Sequence, residues 1–220
     1  MTRETPRRRK PGRPRNDTRS EIRADDLLLE AAIDLFAGRG YDSVSTGDIA
    51  KAAHFTQSMV HYHFGSKEEM WRAAVHHLMM QRGVFFSPAR LRLDGLAPAE
   101  KLRRLVTGLI EANAAQPRYV AIMVHELAAK SDRLGWIVSH YLRPSMDLFD
   151  AVIGEAMEAG VMRRQPVHIA ATLITTMAAL SFSVAPMAQA MYGIDVSGGD
   201  DNRMLVDAIV DMMMNGILLR

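Results

Sequence analysis

The hydrophobic and polar positions of this chain follow a helical period almost throughout. The first amphipathic stripe places apolar side chains three and four positions apart, at Leu28, Ala31, Ala32, Leu35 and Phe36. No stretch of the sequence keeps the alternation of period two that marks a half-buried strand. The pattern therefore predicts an all-α protein.

Capping signals and glycines define short helices in the first third of the chain. Ser45 and Asp48 have the spacing of a capping box at the start of one short helix, and Thr56 can cap the next. Ser66 and Glu69 repeat the capping-box spacing at the start of a longer helix. The sequence thus predicts two short helices joined by a tight turn, followed by a long one.

Longer helices follow Pro98. We expect them at about 99–115, 118–130, 133–159, 166–191 and 202–218, with loops at the intervening prolines and glycines. Pro144 and Pro186 fall inside two of these ranges and should kink or divide them.

Composition divides the chain into three parts. Residues 1–20 contain three prolines and no large apolar residue after Met1, so we expect a disordered arm. Residues 21–66 carry the short helices, and residues 67–220 form an apolar bundle of longer helices.

Charge is concentrated in the arm. Residues 1–20 hold eight basic and two acidic residues, whereas the whole chain has a net charge of only +2, so the remainder is acidic. This asymmetry predicts a polyanionic partner reached through the arm. Gly12, Arg13 and Pro14 are similar to the core of a minor-groove AT-hook, with Arg15 beside them. Minor-groove insertion, non-specific phosphate attraction and a merely solubilising tail remain open.

Composition also bounds the setting. The chain has no cysteine, which excludes disulfides and thiolate chemistry and fits a reducing compartment. No apolar run approaches the roughly 18 residues of a membrane span, and the basic N-terminus lacks the apolar core of a secretory signal. We expect a cytoplasmic protein with no membrane partner.

The two short helices have the form of a helix-turn-helix, whose second helix enters the DNA major groove. The side chains expected to face inward are Ile49, Ala50, Ala53, Phe55, Val60 and Phe64. Those left more exposed are Gln57, Ser58, Met59, His61, Tyr62 and His63. Glutamine can bond adenine bidentately, serine can serve several bases, and methionine can meet a thymine methyl.

The stretch "DIAKAAHFTQSMVHYHFGSKEEM", preceded by "LFAGRGYDSVST", strongly resembles the DNA-binding domain of TetR-type transcriptional repressors. The resemblance runs from about Ile22 to Trp71. It includes the aromatic residue after the "GRG" turn, the "IA" pair, the "HF" that closes the recognition helix and the "SKE" that opens the next. The later bundle agrees with the family in length and helix number.

The resemblance implies DNA contacts by residue. Thr46 and Lys67 would touch phosphates, and the contact set around the second helix would be Thr56, Gln57, Ser58, Met59, His61, Tyr62 and His63. Gln57 to Met59 would face base edges, and His61 to His63 the sugar-phosphate backbone. Two residues depart from the family pattern. His54 stands where the turn usually has glycine, and His61 where the family usually has tyrosine, which predicts a pH-dependent phosphate contact.

Metal binding and catalysis are the rival functions. His61 and His63 lie about 200° apart around a helix axis, so their imidazoles cannot readily bind one ion, and the adjacent His76 and His77 fail similarly. The sequence has no phosphate-cradling loop, nucleophile elbow or framed carboxylate pair. We expect no metal site, no cofactor and no enzymatic activity.

The resemblance further implies a small-molecule effector and a homodimer. The soft and aromatic side chains that could line a pocket are Tyr119, Met123, Trp136, Tyr141, Phe149, Met177 and Phe182. The polar groups that could orient a ligand are Asn113, His125, Glu126, Thr172 and Thr176. For each residue the alternative is an ordinary place in the core, and for Glu126 a structural bond to arginine or a helix end.

The last two long segments are apolar around much of their circumference, which predicts burial against a partner copy. We expect ligand binding to displace the long helix that begins at Ser66 and so to change the separation of the two recognition helices. The alternatives are a helical protein-interaction module and an activator without a small-molecule effector.

Overall fold

The computed structural model describes residues 18–85, 91–193 and 199–217, and the regular elements of those residues are all helical, as the periodicity predicts. In chain order they are α1 (Thr18–Arg39), α2 (Thr46–Ala52), α3 (Gln57–Phe64), α4 (Lys67–Phe85), α5 (Pro98–Ala115), α6 (Pro117–Ala129), α7 (Asp132–Ile137), α8 (Arg143–Glu158), α9 (Val167–Ser183), α10 (Ala185–Tyr192) and α11 (Gly199–Ile217). The arm residues 1–17, including Arg13 and Arg15, lie outside the described part.

The amphipathic stripe of α1 forms as expected. Leu28, Ala32 and Phe36 are at most 1% exposed. The helix begins at Thr18, slightly before the boundary predicted at residue 20. Backbone hydrogen bonds can propagate a helix beyond its buried stripe, so the lack of apolar residues does not mark where it starts.

Two prolines divide the long segments where the sequence predicts. Pro144 lies in the first turn of α8, directly after a π-helical segment, Val138–Leu142, that joins α7 to α8. Pro186 lies in the first turn of α10, which meets α9 at a bend of 56°. Proline has no N–H to donate and its ring crowds the preceding turn, so a regular helix cannot continue through it unchanged.

One buried cluster joins the short helices to part of the bundle. It includes Leu28 of α1, Ile49 of α2 and Trp71 of α4, and it continues into Val120 of α6 and Ile137 of α7. The boundary predicted at residue 66 therefore separates α3 from α4 along the chain but does not interrupt the hydrophobic core.

A second cluster lies within the bundle. Helix α5 packs against α8, α9 and α11, and Leu105, Ile110, Phe149, Ile153 and Ile174 are buried between them. Burial of each large apolar side chain contributes about 1.5–3 kcal/mol, so this cluster is the main support of the bundle.

No single helix in residues 18–85, 91–193 or 199–217 is both long and apolar enough to cross a membrane. Helices α9 and α10 meet that criterion only as a pair, across the bend between them.

Candidate nucleic-acid interface

Helix α2 begins with the capping box that its sequence predicts. The Ser45 hydroxyl accepts a hydrogen bond from the Asp48 backbone N–H at 3.1 Å, and the Ser45 backbone N–H donates to Asp48 Oδ2 at 2.8 Å. The hydrogen bonds from the Ser45 hydroxyl and backbone hold the pKa of Asp48 below its usual value. These bonds fix the first turn of α2, in which Thr46 lies.

The turn between α2 and α3 uses an unusual residue. His54 has a φ of 60°, the left-handed conformation that glycine adopts most easily. The Phe55 backbone N–H donates to the Ala50 carbonyl at 2.8 Å and closes the turn. The left-handed backbone of a non-glycine residue costs on the order of 1 kcal/mol, so burial around the turn must offset that strain.

Helix α3 is held by few buried contacts. Val60 is 1% exposed, Phe55 and Phe64 are half-buried, and Ile49 and Ala50 are buried in α2 beneath them. The inward-facing set is therefore confirmed. The opposite face of α3 is open to solvent, with Tyr62 75% exposed.

Thr56 occupies the N-cap position of α3, but its side chain does not cap the helix. Its hydroxyl instead lies 2.8 Å from the Ser58 hydroxyl. The predicted side-chain cap is therefore wrong, because the Thr56 hydroxyl pairs with Ser58 rather than with a backbone N–H of α3. Both residues are exposed, whereas Met59 is half-buried. Two exposed hydroxyls thus stand at the N-terminal end of α3.

Gln57 reaches back to α2. Its Nε2 donates to Thr46 Oγ1 at 2.9 Å, and Thr46 is 9% exposed. Gln57 itself is exposed. Thr46, which is expected to contact a phosphate, and Gln57, which is expected to contact a base, are therefore hydrogen-bonded to each other.

The two histidines of α3 have different surroundings. His61 is exposed, and its Nδ1–H donates to the Gly65 carbonyl at 2.8 Å, so its neutral ring presents Nε2 as an acceptor. The expected exposure of His63 is wrong. Its side chain is 8% exposed and its Nδ1 lies 2.6 Å from Asp25 Oδ1 of α1. His63 follows Val60 by three positions and therefore shares the buried face of α3.

Lys67 lies at the start of α4, where a phosphate contact is expected. Its Nζ lies 4.1 Å from the centre of the Tyr41 ring. Burial lowers the pKa of the Lys67 ammonium, the Asp42 charge opposes that shift, and the Arg133 charge adds to it. Lys67 is therefore held in place by an aromatic ring rather than extended freely into solvent.

These side chains have the chemistry of a major-groove reader. One face of a short helix is free, with an amide, hydroxyls and a phenol on it, and exposed Arg39 and Lys51 lie on the neighbouring elements. A helix with its side chains fits the roughly 12 Å width of the major groove of B-DNA.

Comparison with known proteins decides the family. The model of bacterial regulatory proteins of the tetR family matches residues 28–74, and that of the tetracyclin repressor-like C-terminal domain matches residues 98–213, more than half of the chain. The chain belongs to the TetR family. Regulators of this family are DNA-binding proteins without enzymatic activity.

Two repressors are among the relatives of this TetR-family chain. It is 30% identical over 104 residues to the HTH-type transcriptional repressor NicS of Pseudomonas putida. The aligned residues cover 47% of this chain and 48% of NicS. It is also 36% identical over 50 residues to IcaR of Staphylococcus epidermidis, a negative transcriptional regulator of a biofilm operon. This alignment covers 23% of this chain and 27% of IcaR. The chain thus spans half or less of these relatives.

A solved structure extends the comparison of the fold. The ketosteroid transcriptional regulator KstR2 of Mycobacterium tuberculosis superposes with a TM-score of 0.70 over 89% of this chain and 95% of KstR2, at 22% identity. The similarity therefore includes the bundle as well as the helix-turn-helix.

The residues predicted to line an effector pocket do not converge in this TetR-family bundle. Four of them pack in or against the first core cluster, namely Tyr119, Met123, Trp136 and Tyr141. Phe149 and Phe182 lie in the second cluster. Trp136 also forms part of the wall of a cleft of about 450 Å³ between α4 and the start of α7.

The pocket residues predicted on α9 lie on the outer face of that helix. Thr172 and Thr176 are exposed, and Met177 is 50% exposed, whereas Ile174 and Ala178 of the same helix are buried. Thr176 and Met177 therefore lie outside the two core clusters, and their role in a pocket stays a prediction. Helix α9 is apolar on more than one face, so its sequence does not tell the inner face from the outer one.

Glu126 has structural partners. It is 1% exposed, accepts from Ser131 Oγ at 2.5 Å and from Arg133 Nε at 3.1 Å, and so realises the alternative expected for it. Arg133 also lies 3.8 Å from the centre of the Tyr41 ring, which makes Tyr41 the meeting point of Arg133 and Lys67.

Asn113 differs from the other predicted ligand residues. It is 1% exposed, and neither atom of its side-chain amide has a hydrogen-bond partner among the residues that the structure describes. Tyr141 does have one, because its hydroxyl lies 2.8 Å from His76 Nδ1, and burial raises the pKa of Tyr141.

A second junction between the bundle and α1 was not expected from the sequence. Arg118 of α6 donates to Glu30 at 2.6 Å and to Asp34 at 3.0 Å, both on α1. His125 Nε2–H donates to the Ala37 carbonyl at 3.1 Å. These partners lie 84 to 88 residues apart in sequence, and no local pattern signals them.

Burial tends to raise the pKa of Glu30, but the hydrogen bond and charge of Arg118, with the charge of His77, outweigh it. The pKa of Glu30 therefore lies below its ordinary value. The α1–α6 contact is consequently an ion pair at neutral pH and weakens in acid.

Proposed function

We propose that this TetR-family chain is a cytoplasmic repressor that binds a pseudo-palindromic operator as a homodimer and is released by a small, largely apolar effector. The observation that carries the proposal is the open face of α3, supported from beneath by Val60 and beside it by the capped α2. The names of NicS and IcaR, which describe repressors, support the direction of regulation.

The contacts divide by chemistry. Gln57, Ser58 and Met59 stand in the first turn of α3 and are proposed to meet base edges, because the recognition helix of this motif enters the groove with its N-terminal residues. Tyr62, His61 and the fixed cation of Lys67 are proposed to contact the sugar-phosphate backbone. Phosphate contacts set the position of the protein, while base contacts select the sequence.

A homodimer is supported by the outer face of α9. Four large apolar side chains are 44–53% exposed along this one helix: Ile169, Leu173, Met177 and Leu180. Val184, directly after the helix, is 45% exposed. Met204 and Met212 of α11 are also exposed, by 62% and 73%. Contiguous exposed apolar surface marks an interaction site, and a symmetric pair of α9 and α11 helices would cover it. A twofold dimer places two recognition helices on half-sites about one DNA turn apart.

An effector site is supported by Asn113. A buried amide without partners costs about 1–3 kcal/mol, and a polar group of a bound ligand would remove that cost. Leu109 and Ile110, which precede Asn113 on α5, belong to the apolar core of the bundle. The proposed effector therefore has an apolar body and one group that exchanges hydrogen bonds with the amide.

Transmission to the DNA is proposed to use both connections of the bundle with the short-helix unit. Helix α4 carries Lys67 at one end and core side chains such as Met79 at the other. Helix α6 grips α1 through Arg118 and His125. An effector that favours one packing of α5 to α9 would shift both helices and change the separation of the recognition helices, so operator affinity would fall.

The test is fluorescence anisotropy of a labelled duplex taken from upstream of the coding region of this protein. We expect a saturable, salt-sensitive complex well below micromolar protein. Lys67→Ala should weaken binding to all sequences alike, whereas Arg103→Ala, an exposed cation on α5, should leave binding unchanged. Absence of a saturable complex, or equal losses from both variants, would contradict the proposal.

A further inference from the structure

The bond between Thr46 and Gln57 connects two classes of DNA contact. Gln57 Nε2 donates to Thr46 Oγ1 at 2.9 Å. The amide rests against the first turn of α2, since Gln57 Oε1 lies 3.7 Å from the position that a Cβ on Gly47 would take. Gln57 is exposed, so the other side of its amide is open to a base edge.

The direction of this bond depends on the threonine proton. A hydroxyl has one proton to donate and two lone pairs, whereas an amide can present either its NH2 group or its oxygen after a half-turn. If the Thr46 proton were free, it could donate to Gln57 Oε1, and both orientations of the amide would be tolerated. A phosphate oxygen only accepts, so the Thr46 hydroxyl donates its single hydrogen bond to a phosphate bound there.

Once the Thr46 hydroxyl donates to a phosphate, it can only accept a hydrogen bond from Gln57. The amide must then keep Nε2 at Thr46, and Oε1 is left to face the base. In the major groove, adenine and cytosine present an amino group at the corresponding edge, whereas guanine and thymine present oxygen acceptors. Adenine also has N7, which can accept from the remaining N–H of the amide.

We propose that Thr46 is a positioning residue for base selection: its hydroxyl, oriented by a phosphate, fixes the Gln57 amide so that the operator carries adenine or cytosine, with adenine preferred, at the position read by Gln57. The inference rests on the proposed function, because it requires DNA to lie on α2 and α3. It adds a specificity role to a threonine whose expected contribution is a phosphate contact alone.

The experiment measures relative affinities for a set of operator duplexes that carry each of the four bases at every half-site position. The wild type should favour adenine over guanine and thymine on the order of tenfold at one position in each half-site. Gln57→Ala should flatten the preference at that position and leave the other positions unchanged.

Thr46→Val removes the hydroxyl but keeps the branched shape. In this variant the Gln57 amide can turn, so the affinities for duplexes with adenine, guanine and thymine at that position should lie within about threefold of one another. Affinity for all duplexes should also fall together because the phosphate contact is lost, and this uniform loss cancels in the ratio. Thr46→Ser keeps the hydroxyl and should retain the wild-type preference. Thermal melting of each variant checks that it is folded.

Several outcomes overturn the proposal. One is a wild-type preference for guanine or thymine at the position that Gln57→Ala flattens, and this outcome does not depend on the folding of Thr46→Val. Another is Thr46→Val that binds all duplexes more weakly with an unchanged base profile. A third is Gln57→Ala that alters no position. In these cases the wild type still binds DNA and the proposed function stands, whereas failure of the wild type to bind any duplex removes both.

Discussion

Arg133 should be one of the most sensitive surface-adjacent residues of the protein. Its guanidinium bonds a carboxylate, Glu126, whose side chain is 2% exposed, and it also stacks on Tyr41. Arg133→Met keeps an unbranched side chain but leaves the buried carboxylate with the Ser131 hydroxyl as its remaining bond among those seen here. Removing one partner of a buried ion pair typically costs about 3–5 kcal/mol.

Arg133 is 17% exposed, so water can approach the abandoned carboxylate and the lower end of that range applies, about 3 kcal/mol. For a chain of this size about 1 kcal/mol shifts the melting temperature by about 2–4 °C, so Arg133→Met should lower it by about 6–12 °C. The assay is thermal unfolding followed by circular dichroism at one fixed protein concentration, because association also affects the midpoint.

Two further variants make this prediction specific. Glu126→Gln combined with Arg133→Met removes the charge that lost its partner, and should recover most of the loss. Arg103→Met, at an exposed position of α5, should shift the melting temperature by no more than about 2 °C. The reasoning is refuted if Arg133→Met melts like Arg103→Met, or if the double variant melts no higher than Arg133→Met alone.

Three more predictions concern DNA binding, assembly and acid stability. The His61 ring donates through Nδ1 to Gly65 and leaves its exposed Nε2 to face the DNA backbone, so His61→Ala should weaken binding to all sequences alike in anisotropy titrations, whereas Arg103→Ala should not. Leu173→Glu should yield monomers in sedimentation velocity and lose operator binding, whereas Arg103→Glu stays dimeric. Arg118 lowers the pKa of Glu30, so the ion pair stabilises the fold above the ordinary pKa of 4.5 and this contribution is lost as pH falls through the lowered pKa. The loss of unfolding free energy caused by Arg118→Met, measured by urea unfolding, should therefore be full at pH 7 and smaller in acid.

Local patterns made much of the α2–α3 pair predictable. The capping box at Ser45 and the inward position of Val60 depend on neighbours within a few residues, and both form. The left-handed turn at His54 could likewise be expected, because a position that related chains fill with glycine imposes its backbone conformation on any residue placed there.

Contacts between segments that are distant in sequence could not be predicted from the sequence alone. His63 has the polarity of an exposed residue, and only the approach of α1 brings Asp25 to it. The outward position of Met177 was likewise hidden, since a helix with apolar residues on several faces has no single stripe to define its inner side. Packing geometry, rather than residue type, decides these cases.

We propose that two copies of this chain bind one operator through α3. Sedimentation equilibrium of the full chain mixed with the upstream duplex tests it most directly, since it gives the number of chains per duplex. We predict two chains per duplex for the wild type, and no complex at the same concentration for Leu173→Glu. A complex with one chain per duplex, or an unaltered complex with Leu173→Glu, would contradict the account.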